Sequence, residues 1–384
     1  VDKLTNLENN MTKSIYVPSN IGLSLLAIVY PLGSDYESEG HRGTHHLMEH
    51  LMCKSFDHLL PKLKRLGINY NASTDTNRIV FFFDGLDESV ALVAQELYDC
   101  ITSGTYTWSE NDFNNEKKTV LQEYEDVFNE QVGGTLANIF RKYYNYYDPI
   151  GLRVDIESFS YSDSLEFRKR FKYPNLLCQV GGQNITVSED TWVQFGLQRP
   201  VFGPYTVPLE NIPKKKKFLG LFGEGGKTVV GLVSKSVVPK CNINKVGLVV
   251  SCLNDGLESP LLQEIRDKNG LSYFSIGMLF PMFNFGAVTF LSCTSDRNTN
   301  QLQSVYRKFL SGDLSRHISK DRFEDCYQGL MIEKKIGERL PHKGAMNTIV
   351  QDSPYEGLDG FTYQDALELL DRYFKIDMFE EIVY

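Results

Sequence analysis

A repeated octapeptide sets the strongest constraint on the architecture. Phe159-Ser160-Tyr161-Ser162-Asp163-Ser164-Leu165-Glu166 and Phe361-Thr362-Tyr363-Gln364-Asp365-Ala366-Leu367-Glu368 share the pattern F-x-Y-x-D-x-L-E, and Arg170 and Arg372 follow at the same offset. The copies lie 202 residues apart in a chain of 384, each late in its half. A period of that length points to duplication of a whole domain. The expected fold class is α+β, with two homologous half-domains, each a mixed or antiparallel sheet covered by helices. Gln198-Arg199-Pro200-Val201-Phe202-Gly203-Pro204, with Pro208 and Pro213 beyond, has linker composition. The expected boundaries are therefore 1–197, a linker at 198–220, and 221–384. Lys214-Lys215-Lys216-Lys217 lies in that linker and reads as a solvated charge run rather than a nuclear signal or anion patch.

Apolar patterning fills in the elements. Ser14 to Pro18 and Ile21 to Tyr30 read as strands, the second apolar enough to be buried on both faces. A helix is expected from Gly43 to Lys54 and another from Leu59 to Leu66, with Pro61 in its first turn and Gly67 closing it. Asn71 to Asp84 reads as one strand around the core run Ile79-Val80-Phe81-Phe82-Phe83. Val90, Val93, Leu97 and Ile101 step at helical spacing. A long helix is expected from the capping pair Ser109 and Asp112 to a stop at Gly133-Gly134, followed by an aromatic-rich helix from Thr135 to Tyr147. Ser162 to Phe171 reads as helix and Leu176 to Val180 as strand. In the second half, Thr228 to Val233, Lys245 to Ser251, Ser272 to Leu279 and Phe285 to Cys293 read as strands, and Ser259 to Lys268 as a helix ending at Gly270.

The chemistry is concentrated in His46-Leu47-Met48-Glu49-His50, an H-x-x-E-H stretch found only in the first half. On a helix the two imidazoles stand one turn apart on one face, the spacing that grips a single Zn²⁺. Glu49 then lies where a carboxylate can take a proton from metal-bound water, as in the inverted form of the H-E-x-x-H motif. Five of the seven histidines (His41, His45, His46, His50, His58) fall within 18 residues. His41 and His45 read as structural, because Gly43 lies between them and Thr44 stands where the acid would be. A catalytic zinc takes a third protein ligand. The expected long helix offers Glu116 and Glu123, two turns apart on one face, with Glu125, Asp126 and Glu130 as rivals.

With these residues in place, the chain resembles the pitrilysin/insulinase family of zinc metallopeptidases (inverzincins), and within it the short members similar to the mitochondrial processing peptidase. The stretch from Gly33-Ser34-Asp35-Tyr36-Glu37 to Leu51, the Glu116/Glu123 pair, Asn71-Ala72-Ser73-Thr74 and Arg266-Asp267-Lys268-Asn269-Gly270-Leu271-Ser272-Tyr273 occur in the family's order. The resemblance implies that Glu123 is the third zinc ligand and Glu116 a supporting catalytic carboxylate. It implies that Asn71, Ala72, Ser73 and Thr74 form an edge strand that takes substrate backbone as an added strand, and that Arg266 and Tyr273 hold the bound peptide. It further implies that the two halves close like a clamshell around a chamber, and that a homodimer or heterodimer partner is to be expected.

The expected function is therefore a zinc-dependent endopeptidase acting on peptides or unfolded precursor segments, with Glu49 as general base toward metal-bound water. Two other readings stand beside it: an inactive or partner-dependent structural subunit of a larger assembly, and a dedicated precursor-processing protease such as one for viral assembly. A net charge of −9 and a pI of about 5.4 argue against nucleic-acid binding. No apolar run reaches membrane-spanning length. Seven scattered cysteines without a C-x-x-C pair suit the cytoplasm or another reducing compartment, while a start at Val1 leaves room for a removed organelle-targeting peptide.

Overall fold

A computed structural model of the chain describes residues 13–103, 107–129, 131–144, 148–171, 174, 176–182, 227–281, 285–339, 355 and 357–384. The expected linker at 198–220, with Lys214 to Lys217, lies outside the described residues. In chain order the first stretch holds β1 (Lys13–Pro18), β2 (Leu23–Tyr30), α1 (Thr44–Cys53), α2 (Leu60–Leu66), β3 (Asn69–Thr74), β4 (Ile79–Leu86), α3 (Asp87–Ala91), α4 (Ala94–Thr102), α5 (Glu110–Asn129), α6 (Gln131–Tyr144), α7 (Arg153–Ser158), α8 (Tyr161–Arg168) and β5 (Leu176–Gly181). The second holds β6 (Lys227–Ser234), β7 (Val238–Pro239), α9 (Ile243–Asn254), α10 (Pro260–Leu262) running on into a π-helical stretch Gln263–Lys268, β8 (Ile276–Pro281), β9 (Phe285–Ser295), α11 (Thr299–Ser311), α12 (Lys320–Arg339), α13 (Tyr363–Tyr373) and β10 (Phe379–Val383).

The chain divides into two compact units. Among the described residues, the first takes those of 1–126, 147–206 and 335–353, and the second those of 127–146, 207–334 and 354–384. The units thus exchange short segments, with α6 belonging to the second. Among the described residues each has one five-stranded sheet. The first sheet is mixed, in the order β1-β5-β2-β4-β3, with β1 and β5 parallel and the other pairs antiparallel. The second is antiparallel, with β10-β6-β9-β7 in order and β8 also on β9.

Burial explains the central strands. Every residue of Leu25–Tyr30 is buried, so β2 carries apolar side chains on both faces and no alternation. Ile79 to Phe83 on β4 are buried beside it, the plain sheet core that their composition suggests. Three expectations change. Asn71 to Asp84 is a hairpin, β3 and β4, closed where Asp75 N–H donates to Arg78 O at 2.8 Å. Gly133-Gly134 does not end a helix but lies within the first turn of α6. Lys245 to Ser251 is not a strand but the middle of α9, because a short wholly apolar run suits a buried helix as well as a strand.

The octapeptides occupy matching places. Ser160 and Thr362 are the N-caps of α8 and α13, and each forms a full capping box with an aspartate three residues on. The Asp163 and Asp365 N–H groups donate to the cap hydroxyls at 3.2 Å, and the aspartate carboxylates accept the cap N–H groups at 2.9 and 2.8 Å. The tyrosines also agree. Tyr161 Oη donates to Trp108 O and Tyr363 Oη to Ile318 O, in each case the carbonyl just before the serine that opens a long helix, Ser109 for α5 and Ser319 for α12. Four residues past those serines, Phe113 packs its ring 6.4 and 5.9 Å from Phe159 and Tyr161, and Phe323 packs 5.9 and 6.0 Å from Phe361 and Tyr363. The two halves are thus homologous in contacts as well as in sequence. Ser160→Ala and Thr362→Ala should each cost about 1 kcal/mol of stability, the usual worth of an N-cap, measured by denaturant unfolding. Equal effects are expected because the two caps make the same bonds.

Candidate metal centre

The site is built on α1, and α1 is set by polar contacts at its N-terminus. Gly43 caps it with φ +88°, a left-handed conformation that glycine alone takes without strain. A Cβ on Gly43 would meet Ile156 Cδ1 at 2.9 Å, and one on Gly151 would fall 2.2 Å from Gly43 Cα, so the two backbones pass in direct contact. The buried Glu37 carboxyl then accepts two of the free N–H groups at the helix start, Gly43 N–H on Oε2 at 2.9 Å and His45 N–H on Oε1 at 2.7 Å. Burial raises the Glu37 carboxyl above its ordinary range, while those two donors and Arg42 pull it down. Asp155 accepts Arg42 N–H at 2.8 Å and ties α7 to the same corner.

His45 is buried among Phe167 and Phe171, with Nδ1 at 2.8 Å from Gly33 O; burial pulls it down to about 4, so the ring is neutral and donates that bond. His41 pairs with Ser38 Oγ at 3.2 Å. Neither joins the cluster below, in keeping with the structural part expected of them.

His46 and His50 stand one turn apart on α1, ring centroids 4.9 Å apart. His46 Nε2 lies 3.4 Å and His50 Nε2 3.7 Å from Glu123 Oε2 on α5. Ligand atoms of His46, His50 and Glu123 all lie within 4.8 Å of one another, and among the described residues this is the one such group of three or more His, Cys, Asp or Glu. The residues suit a small divalent cation. Bonds of about 2.1 Å in tetrahedral geometry place neighbouring ligand atoms about 3.4 Å apart. Burial, with His50 beside it, pulls His46 down to about 4, so its nitrogen lone pair is free of a proton at neutral pH. The other nitrogen of His50, Nδ1, lies 3.2 Å from Glu116 Oε2, and Lys54 Nζ reaches Glu116 Oε1 at 2.9 Å. That carboxylate fixes the His50 ring and tautomer, as outer partners of metal-binding histidines do. Of the rival acids, Glu125 binds Arg153 and Asp126 binds Gln122, while Glu130 lies outside the described residues.

Glu49 is buried, and Thr74 Oγ1 donates to its Oε2 at 2.8 Å. Burial raises its proton affinity, Thr74 and His50 lower it, and Glu123 raises it again. Thr74 ends β3, which among the described residues is the edge strand of the first sheet, paired only to β4 and largely exposed from Asn69 to Ser73. Asn71, Ala72 and Ser73 thus lie on an open edge next to the site, and Thr74 has a side-chain part in it that the sequence alone did not indicate. Glu37 and Lys54 were also missed. Lys54 follows His50 by four residues, so helical spacing could have found it. Arg266 lies in the second unit on the π-helical stretch, its guanidinium paired with Asp267 at 2.7 Å, and Tyr273 is exposed in the segment after it.

The model for insulinase (peptidase family M16) matches residues 18–148, the span that carries α1, β3 and α5. The chain carries an M16 peptidase domain. It is 22% identical over 319 residues to an uncharacterized zinc protease of Rickettsia bellii, a match covering 77% of this chain and 73% of that protein. The fold is that of a protease from Helicobacter pylori, with a TM-score of 0.76 and 20% identity over 99% of this chain and 98% of that one. It is also that of an M16 inactive domain from Pseudomonas fluorescens, with a TM-score of 0.66 and 14% identity over 98% and 97% of the chains. The same fold is thus shared with a protein described as a protease and with one described as an inactive domain. Glu37→Gln turns an amide NH₂ toward one of the two backbone donors at the start of α1. It should cost about 1–3 kcal/mol in denaturant unfolding, the penalty for an unmet buried donor, and lower zinc retention in equilibrium dialysis.

Proposed function

We propose that this M16 chain is a zinc-dependent endopeptidase. The observation that carries the reading is the convergence of His46 Nε2 and His50 Nε2 on Glu123 Oε2, with the buried Glu49 carboxyl on the same helix. His46, His50 and Glu123 would hold the ion, with Glu116 behind His50. Zn²⁺, when bound, supplies Lewis-acid polarisation of a carbonyl and makes water more acidic. Glu49 accepts the proton of the attacking water and returns it to the leaving amine; its burial gives it the proton affinity that exchange needs. Thr74 Oγ1–H holds one Glu49 oxygen, leaving the other to meet water.

Substrate backbone adds to the open edge of β3 at Asn71 to Thr74, which gives affinity through main-chain hydrogen bonds with little demand on sequence. Peptides and unfolded segments are the substrates such an edge accepts. Arg266 and Tyr273 also hold bound peptide. The protein works in a reducing compartment, alone or as a dimer. A subunit without activity of its own is the second reading, and the inactive M16 domain of the same fold is what favours it.

Glu49→Gln should retain zinc and lose at least about 100-fold in cleavage of a mixed peptide library read by mass spectrometry, the scale of a lost general base. Glu123→Gln and His50→Ala should lose the metal itself, measured by atomic emission. Chelation should abolish wild-type cleavage and zinc should restore it. If wild type binds zinc yet cuts nothing, the subunit reading replaces this one.

A further inference from the structure

The duplicated contacts place the two long helices in register. Ser109 and Ser319 open them, and Phe113 and Phe323 follow at the same spacing with the same aromatic partners. Three residues further on, Glu116 of α5 is matched by Cys326 of α12. In the first unit Glu116 contacts His50, on the H-x-x-E-H helix. In the second unit Cys326 packs against the core cluster that holds Cys252, on α9, and Arg322, four residues before Cys326, donates to Cys252 O at 3.3 Å. The second unit therefore keeps the helix-to-helix approach of the metal site but lines it with two cysteines.

The surroundings suit reaction between them. Cys252 is fully buried in the core of the second unit, and Cys326 packs against that core while half-exposed, so a small reagent reaches Cys326 first. Arg322, one turn before Cys326, donates from Nε to Cys252 O at 3.3 Å and from Nη2 to Ser251 O at 3.4 Å, and also to Asp255 O. It fastens α12 to the end of α9 at the level of the two thiols. The hydrogen bond from Cys252, then Arg322, hold Cys326 below the ordinary thiol range, against burial, Asp255 and Asp325. A more acidic, accessible thiol beside a buried one has the division of labour of an attacking and a resolving cysteine.

We propose that Cys252 and Cys326 are a redox-active dithiol that closes to a disulfide between α9 and α12 when the protein meets hydrogen peroxide. The Cys326 thiolate attacks one peroxide oxygen, the O–O bond breaks, and hydroxide leaves and takes up the thiol's proton as water. The Cys252 sulfur then attacks the resulting sulfenic sulfur. An S–S bond forms, the S–O bond breaks, and the hydroxyl leaves with the Cys252 proton as a second water. Two thiols are oxidised and one peroxide is reduced.

The test is made on the full chain, zinc-loaded. Wild type is treated with hydrogen peroxide, alkylated, digested without reduction and read by mass spectrometry. A linked peptide pair holding Cys252 and Cys326, lighter by two hydrogens and released by dithiothreitol, is the expected result. The linked protein should unfold roughly 2–5 °C higher than the reduced one, as a cross-link closing a long loop does. In Cys252→Ser, Cys326 should persist as a sulfenic acid trapped by dimedone. Three results would overturn the proposal: Cys326 oxidised to sulfinic acid in wild type with no link, cross-links dominated by exposed Cys241 or other cysteines, or both thiols still unoxidised when exposed Cys241 has reacted.

Discussion

The contact between the Glu37 carboxyl and the first turn of α1 governs the rest of the site. Its two oxygens meet two backbone N–H groups that a helix start leaves open, in a place closed to water. An unpartnered group there would cost more than the bonds return, so α1 is held in one position along its axis and one rotation about it. The Gly43–Gly151 backbone approach removes the remaining freedom. Rotation matters most, since one residue of slip turns a helix by about 100° and would carry His46, Glu49 and His50 away from Glu123 and Thr74 together. A buried polar corner, rather than apolar packing alone, thus fixes the geometry of the chemistry.

Four glutamates serve the site, and their surroundings separate their parts. Glu37 is buried against backbone donors and serves as structure. Glu116 lies between His50 and Lys54, so its charge is balanced and it acts on the ring it holds. Glu123 remains partly exposed, its oxygen turned to both imidazoles. Glu49 is buried with, among the described residues, a hydroxyl as its one direct hydrogen-bond donor, and its proton affinity rises. The same side chain yields a cap, an orienting partner and, on the function proposed above, a metal donor and a base, according to burial and neighbours.

Much of this was legible in the sequence because it is local. His46, Glu49 and His50 are ordered by helical spacing, and the octapeptide pair already displayed the duplication. The residues alone left Glu123 beside Glu125 and Asp126, and the family resemblance singled it out; in the fold those two rivals bond to Arg153 and Gln122. Thr74 was read as backbone of an edge strand, and the hidden turn at Asp75 to Arg78 is what brings its hydroxyl to Glu49. The larger error was α9. Val246 to Val250 form a continuous apolar run, which carries no period by which to tell strand from helix. Reading it as a strand concealed the counterpart of α1 in the second half.

That counterpart shows which features of the duplicated half are held by energy and which are free. The capping boxes, the tyrosine bonds to the carbonyl before each long helix and the phenylalanine clusters recur in both halves. Each satisfies a helix end or fills the core, so losing one would cost stability in either unit. The positions of His50 and Glu116 carry no such obligation once a metal is not required. A lone imidazole and carboxylate between two helices would be a desolvation cost with nothing to offset it. Cys252 and Cys326 keep the contact with small, weakly polar groups that tolerate burial. The replacement therefore follows from the same physics that retains the scaffold, and it sets Cys252 and Cys326 at the places that His50 and Glu116 take in the first unit.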